Sequence, residues 1–162
     1  MAKIKNVLVE AEIGQIKGVE DEIVVDRETF ISIEDVHNFV SSTNVDLLAV
    51  AIGTAHGQYG EVQPNINYAL LKKIEELLDI PFVVHGGSEL PKSTLVKLFS
   101  HNNVKKINIS TDIKQAYRVG IVNSMSLGLL EQNKFDALKV EKQIYESIRT
   151  VAISKLKVLE EI

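Results

Sequence analysis

Four short apolar runs punctuate the chain: NVLVEAEIG (6–14), VDLLAVAIG (45–53), IPFVVHGG (80–87) and VKKINIST (104–111). Each has the length of a buried strand and closes on glycine or small polar residues, as a strand does when it leaves a core for a turn. Between and after them the apolar spacing changes to the helical period. SIEDVHNFVSST (32–43) opens on a capping serine with Glu34 and Asp35 in its first turn, and places Ile33, Val36, Phe39 and Val40 on one face. NINYALLKKIEELLD (65–79) and PKSTLVKLFSHN (91–102) predict two more helices, the latter with proline at its start. A fourth follows from Thr111 or Asp112 to about 125, and a long one spans about 134–160.

Strand followed by helix, four times over, predicts parallel strands joined by right-handed crossovers. The units differ in length and show no strict repeat, so they are not a solenoid. Four such units make either half of a (β/α)8 barrel or a small open α/β sheet. The polar residues inside the runs favour the barrel. Glu10 and Glu12 share one face of the first run and Asn108 and Ser110 one face of the fourth. An open sheet covered by helices on both sides would bury these groups at high cost, whereas the mouth of a barrel can hydrate or ligate them. Residues 14–31 form a connection longer than the usual limit, rich in acid and containing two glycines, as functional lids often are.

Composition narrows the function classes. Of 162 residues, 45% are hydrophobic and 25% charged, the balance of a globular protein, and the formal net charge of −4 argues against a general nucleic-acid binder. With no cysteine there is no disulfide framework and no thiolate metal site, so a metal would need His, Asp or Glu. The N-terminal stretch lacks the apolar core of a signal peptide and no run is long enough to cross a membrane, which makes cytoplasm the expected compartment.

Two histidines stand at matched positions. His56 follows the second run, His85 ends the third, and the spacing of 29 residues is about one strand–helix unit. Neighbouring strands lie about 4.8 Å apart, close enough for two imidazoles to share an ion bound at about 2.0–2.1 Å. Glu12 points into the same space from the preceding strand. His37 and His101 lack such a setting and are read as surface residues. Gly86, Gly87 and Ser88 after His85, and Asn108, Ile109, Ser110 and Thr111 before a helix, are two candidate phosphate cradles, because glycine lets amides approach an anion and a helix start offers unpaired donors. Glu20 and Asp21, in the long connection, are either a solvated charged loop or a carboxylate that closes over the site as an acid or base.

Taken together, VEAEIGQIKGVED, LLAVAIGTAHGQYG, IPFVVHGGSELP and KKINISTDIKQAYR, in this order, resemble the C-terminal part of the class II, zinc-dependent ketose-bisphosphate aldolases, the fructose- and tagatose-bisphosphate aldolase family. The resemblance runs from about residue 6 to residue 125. It implies the C-terminal half, strands 5 to 8, of a TIM (β/α)8 barrel as a single partial domain over 1–162. It also implies zinc, held in part by His56 and His85 with Glu12 at the metal or its shell, and a monovalent cation. Glu20 matches the acidic loop residue that exchanges a proton with the substrate carbon. Gly57, Gly86, Gly87, Ser88, Asn108, Ile109, Ser110 and Thr111 match positions that hold the dihydroxyacetone phosphate portion. The implied reaction is retro-aldol cleavage of a ketose 1,6-bisphosphate to dihydroxyacetone phosphate and glyceraldehyde 3-phosphate, a carbohydrate-metabolism step. Glu89 and the SHNNV turn depart from the family pattern.

The family's third zinc histidine and its catalytic aspartate belong to strands that this chain does not supply. A half-barrel exposes two strand edges, so the expected partners are a phosphorylated sugar and either a complementary half-barrel or further copies of the chain, with no nucleic acid and no membrane. Two other readings compete. A Schiff-base aldolase needs a lysine in an apolar pocket on a strand, and Lys105 and Lys106 open the fourth strand at the wrong end. A truncated, non-catalytic half-barrel or accessory subunit needs no complete metal site.

Overall fold

In the computed structural model the described backbone comprises residues 2–20, 23–25, 31–57, 59 and 63–161, with the side chains of residues 3, 17–20, 23–25, 56 and 161 outside the description. The chain divides into two compact units, 1–109 and 110–162. In the first, β1 (Glu10–Ile13) leads to β2 (Lys17–Glu20) and β3 (Ile23–Val25), followed by α1 (Ile33–Thr43), β4 (Leu47–Val50) and β5 (Ala55–His56). Then come α2 (Tyr68–Leu77), β6 (Phe82–Val84), α3 (Lys92–Phe99) and β7 (Val104–Ile107). The second unit holds α4 (Thr111–Ser126), α5 (Ala137–Leu156) and a terminal 3-10 turn.

The four apolar runs are the four strands of a parallel sheet, in the order β1-β4-β6-β7. Each pair of neighbours is separated by a helical crossover, which parallel pairing requires. The central strands are apolar at every position because both faces are covered: Leu48, Ala49, Val50, Phe82, Val83 and Val84 are all buried. Val36 of α1, Leu71 and Ile74 of α2 and Leu95 and Leu98 of α3 complete this core. The edge strand β1 alternates instead, with Glu10 and Glu12 exposed and Ala11 and Ile13 half-buried.

Helix ends follow their local chemistry. Ser32 caps α1 in a reciprocal box, accepting from the Asp35 amide at 3.1 Å while the Asp35 carboxylate accepts from the Ser32 amide at 3.2 Å. Asn67 caps α2 by accepting from the Leu70 amide at 2.9 Å, so this helix starts three residues later than the apolar spacing predicts. The α3 helix stops at Phe99, because the SHNN segment turns directly into β7.

Two expectations are corrected. The connection over 14–31 is not simply a loop: it carries β2 and β3, paired antiparallel, in a second three-stranded sheet of order β3-β2-β5. Its KGVE and IVV segments are too short to be told from connection residues by pattern alone. In addition, His101 is not a surface residue. Its ring stacks on Tyr68 at 6.0 Å and its Nδ1 lies 2.6 Å from the Glu75 carboxylate, which also accepts from the Asn103 amide at 3.1 Å. This contact pins the end of α2 to the α3–β7 turn. His37, by contrast, is exposed as expected.

In the second unit α4 and α5 pack as a helical hairpin, with Lys155 Nζ 2.7 Å from the Asp112 carboxylate. Gly120 sits at a close approach of the two helices. A Cβ there would stand 2.4 Å from the Ile144 Cα, and Ser124, one turn on, is fully buried and donates to the Gly120 carbonyl at 2.8 Å. Gly120→Val is therefore expected to force the helices apart and lower stability by about 1–3 kcal/mol, the usual range for overpacking. Chemical denaturation followed by helical circular dichroism checks this.

Candidate active site

The sequence pattern brings two carboxylates, an imidazole and an ammonium to one face of the parallel sheet. The pairing register puts Glu12 beside Ala49, Ala49 beside Val83, and Val83 beside Lys106. Laterally paired residues point to the same face, so this row has charged groups on its two outer strands and small side chains between them. The low centre formed by Ala49 and Val83 lets the long outer side chains meet above it. Lys106 reaches this face because of an irregularity: Phe82 pairs with Val104, but Val83 pairs with Lys106, so Lys105 is an extra residue in β7. A bulge of this kind re-aims the residues that follow it.

His85, the residue after β6, lies at the centre. Its Nδ1 is 2.6 Å from Glu12 Oε2 and its Nε2 is 3.2 Å from Glu10 Oε1. The other Glu10 oxygen, Oε2, accepts from Lys106 Nζ at 2.7 Å. The imidazole is largely sheltered, with 14% of its side-chain surface exposed. The neighbouring Glu12 carboxylate pushes the His85 pKa above its ordinary value, and Glu10 adds to this against the opposing effect of burial. Burial by itself would raise the Glu10 carboxyl, but its bonds to Lys106 and His85 outweigh that and hold it below the usual range.

The glycines after His85 are required by close approach. Gly86 has φ +70°, and a Cβ on it would meet the Ala55 carbonyl at 2.3 Å; a Cβ on Gly87 would meet the Ile107 side chain at 2.5 Å. The turn thus lies between β5 and β7. Gly87 donates its amide to the Asn108 carbonyl at 2.9 Å and Asn108 donates its own to the Val84 carbonyl at 2.8 Å. These two amides tie the turn to the sheet and are not spare donors for an anion. Ser88 is buried, and Asn108 and Ile109 are half-buried at the end of β7. Gly57 has φ +97° and open space around its Cα. Ser110 and Thr111 begin the second unit as the cap and first residue of α4, where the Ser110 carbonyl accepts from the Ile113 and Lys114 amides.

His56 is not on the strand next to β6, as its spacing predicts, but in β5, whose backbone pairs parallel with β2, Gly18 opposite His56. Its side chain, like that of Glu20 in β2, lies outside the described residues, and so does Asp21. The expected closeness of the His56 and Glu20 side chains to His85 therefore lies outside the described residues. Among the described residues, no group of three His, Asp or Glu side chains is disposed to hold a metal ion. The donor chemistry of His85 and Glu12 nonetheless suits one, since an imidazole nitrogen and a carboxylate oxygen face each other at short range.

Sequence reasoning missed the contacts of three residues, Glu10, Lys106 and Tyr59. Glu10 is recognised as lying on the face of Glu12 but not as a partner of His85, and Lys106 is not at the wrong end, because its long side chain and the bulge carry it to Glu10. Tyr59 accepts from the Ala55 amide at 2.8 Å and donates to the Gly86 carbonyl at 2.7 Å, while its own amide donates to Glu89 at 2.8 Å. Burial and the Glu89 charge raise the Tyr59 pKa. A tyrosine inside the glycine-rich AHGQYG was the available signal. A cleft of about 600 Å3, lined by residues such as Gly53, Asn65 and Ile66 at the start of α2, does not include His85. None of Glu10, Glu12 and Lys106 lines this cleft either.

The whole chain, residues 1–162, matches the family model for class II fructose-bisphosphate aldolase. The chain belongs to the class II fructose-bisphosphate aldolase family, which is generally zinc-dependent. It is 42% identical over 111 residues to the D-tagatose-1,6-bisphosphate aldolase subunit GatY of Klebsiella oxytoca, covering 67% of this chain and 38% of that protein. Among solved structures it resembles the YdjI aldolase of Escherichia coli K12, at 24% identity and a TM-score of 0.70, over 97% of this chain and 49% of that one. It also resembles the fructose-bisphosphate aldolase of Campylobacter jejuni, at 20% identity and a TM-score of 0.66, over 94% of this chain and 51% of that one. The chain thus spans about half or less of the length of these relatives, and its parallel sheet is part of a TIM-barrel fold.

The His85 cluster predicts a pH response of the metal-free chain. A histidine whose folded pKa lies above the ordinary 6.5 contributes stability that is full below about pH 6.5 and is lost as pH rises through the raised value. Glu10, lowered from 4.5, contributes stability present above about pH 4.5 and lost as pH falls through its depressed value. An NMR titration should place the His85 midpoint above the ordinary histidine value of 6.5, and Glu12→Gln should move it down.

Proposed function

We propose that this chain supplies the C-terminal half of the active site of a zinc-dependent ketose-bisphosphate aldolase, which cleaves a ketose 1,6-bisphosphate to dihydroxyacetone phosphate and glyceraldehyde 3-phosphate. The observation that carries this reading is His85, set between two carboxylates where β6 ends, in a chain matched along its whole length by the class II aldolase family. Ligands of barrel enzymes gather at the C-terminal ends of the strands, which is where His85 and Asn108 stand.

Zinc, when bound, would polarise the substrate's ketone carbonyl. His85 and His56 would hold it, with Glu12 at its edge, and a further histidine would come from the complementary strands. Glu20 would exchange a proton with the substrate carbon. Gly57, Gly86, Ser88, Ile109, Ser110 and Thr111 would hold the dihydroxyacetone phosphate portion. Gly87 and Asn108 would shape its wall, since their amides are already engaged within the sheet. A monovalent cation near the phosphate would belong to the same reading.

A parallel sheet of four strands supplies half the strands of a closed (β/α)8 barrel. The remaining strands would come from a complementary half, on the same polypeptide or another, and a homo-oligomer is the further expectation. That the tagatose-bisphosphate relative is named a subunit supports work within an assembly. Without its complement the chain would be inactive. The setting would be cytoplasmic carbohydrate breakdown such as glycolysis; no described helix is long and apolar enough to cross a membrane.

The Schiff-base alternative loses support, because Lys106 is ion-paired to Glu10 rather than held neutral in an apolar pocket. With its complementary strands present, the protein should release dihydroxyacetone phosphate from fructose or tagatose 1,6-bisphosphate. A chelator should abolish this and zinc restore it, and Glu20→Gln should lower kcat by about 10²–10⁴-fold. Trapping by borohydride, or turnover indifferent to chelation, would overturn the proposal.

A further inference from the structure

The order of contacts around His85 is asymmetric. On the Nε2 side, Glu10 is held by Lys106 Nζ at 2.7 Å on one oxygen while the other faces the ring at 3.2 Å. On the Nδ1 side, Glu12 Oε2 stands at 2.6 Å, and among the described residues no cation anchors that carboxylate as Lys106 anchors Glu10. A carboxylate oxygen and a ring nitrogen are both electron-pair donors. At 2.6 Å they attract only if a cation lies between them, a proton in the metal-free chain or a metal ion in its place. Glu10 is fixed from behind, which suits it to accept an N–H and set the plane of the ring. Metal-binding histidines commonly have their second nitrogen oriented in this way by a carboxylate.

We propose that Lys106 and Glu10 are positioning residues that clasp the Nε2–H of His85 and so present Nδ1, beside Glu12, as the zinc-binding nitrogen. The inference rests on the zinc reading above for its metal, but the clasp itself is a property of this chain. The bulge at Lys105 selects Lys106 for this part, since regular pairing would set Lys105 beside Val83 and turn Lys106 to the opposite face. Lys106 then acts without touching zinc or substrate. Ala49 and Val83 leave the space through which the Glu10–Lys106 pair spans from one edge strand to the other.

Two measurements on the full chain test this. Zinc affinity is read by competition with a chromogenic chelator, using Zn2+ alone, for the wild type, Lys106→Met, Lys106→Arg and Glu10→Gln. Lys106→Met and Glu10→Gln should weaken binding by about 10–100-fold, with Lys106→Arg close to wild type and all variants showing wild-type circular dichroism. Nitrogen NMR of the zinc-loaded chain should show the His85 proton on Nε2 in the wild type and a mixture of Nε2- and Nδ1-protonated rings in Lys106→Met. Equal zinc affinity in wild type and Lys106→Met overturns the proposal, as does a zinc-loaded His85 that carries its proton on Nδ1. A wild-type chain that binds no zinc even with its complementary strands present, yet holds an Nε2 proton that depends on Lys106, overturns the zinc reading and still supports the clasp.

Discussion

The arrangement of charge in the first unit depends on one carboxylate that is bonded twice. Glu10 takes the Lys106 ammonium on one oxygen and faces the His85 ring with the other, so three strands of the sheet are joined through a single side chain. Without Lys106, His85 would lie between two carboxylates with only its own proton to balance them, and the partly sheltered site would carry excess negative charge. Lys106 offsets this while leaving Glu12 to the other nitrogen. The same geometry that neutralises the cluster also gives the ring its direction.

The neutral frame beneath this cluster is built for it. Leu48, Val50, Phe82 and Val84 form the packed interior, while the opposite face of the row is low because Ala49 and Val83 are short. Larger residues there would lift the edge side chains apart. Gly86 and Gly87 let the His85 turn press against β5 and β7, and Tyr59 ties it from the other side through the Gly86 carbonyl. His85 is therefore held at its backbone by glycine packing and at its ring by carboxylates. Glu89, which departs from the family pattern, is part of this support, accepting from the Tyr59 amide and adopting φ +57°.

The division of the relatives' length gives the chain its character. The chain supplies four parallel strands and spans about half or less of the length of its aldolase relatives, so the donor set proposed above would be completed by strands outside this sheet. The chemistry of His85 and Glu12 suits a metal, and under the same proposal Lys106 with Glu10 prepares the ring. The second unit, a helical hairpin, combines close backbone approach at Gly120 with the Lys155–Asp112 ion pair.

Much of this was legible in the residues themselves. Four apolar runs ending in small residues specify four parallel strands, because both-face burial demands continuous hydrophobicity, and the caps at Ser32 and the proline at 91 mark helix starts through purely local bonding. Family motifs carried the likeness, and the alternation of Glu10 and Glu12 with Ala11 and Ile13 showed which face was polar. The register was not local. Whether Lys105 or Lys106 faces the site depends on one extra residue in β7, which no periodicity records, and the pairing of β2 and β3 with β5 joins segments that share no short-range pattern. The partners of His85 and of His101 likewise come from distant elements, so only the folded chain decided that one histidine is clasped at the mouth of the sheet and the other serves as a structural pin.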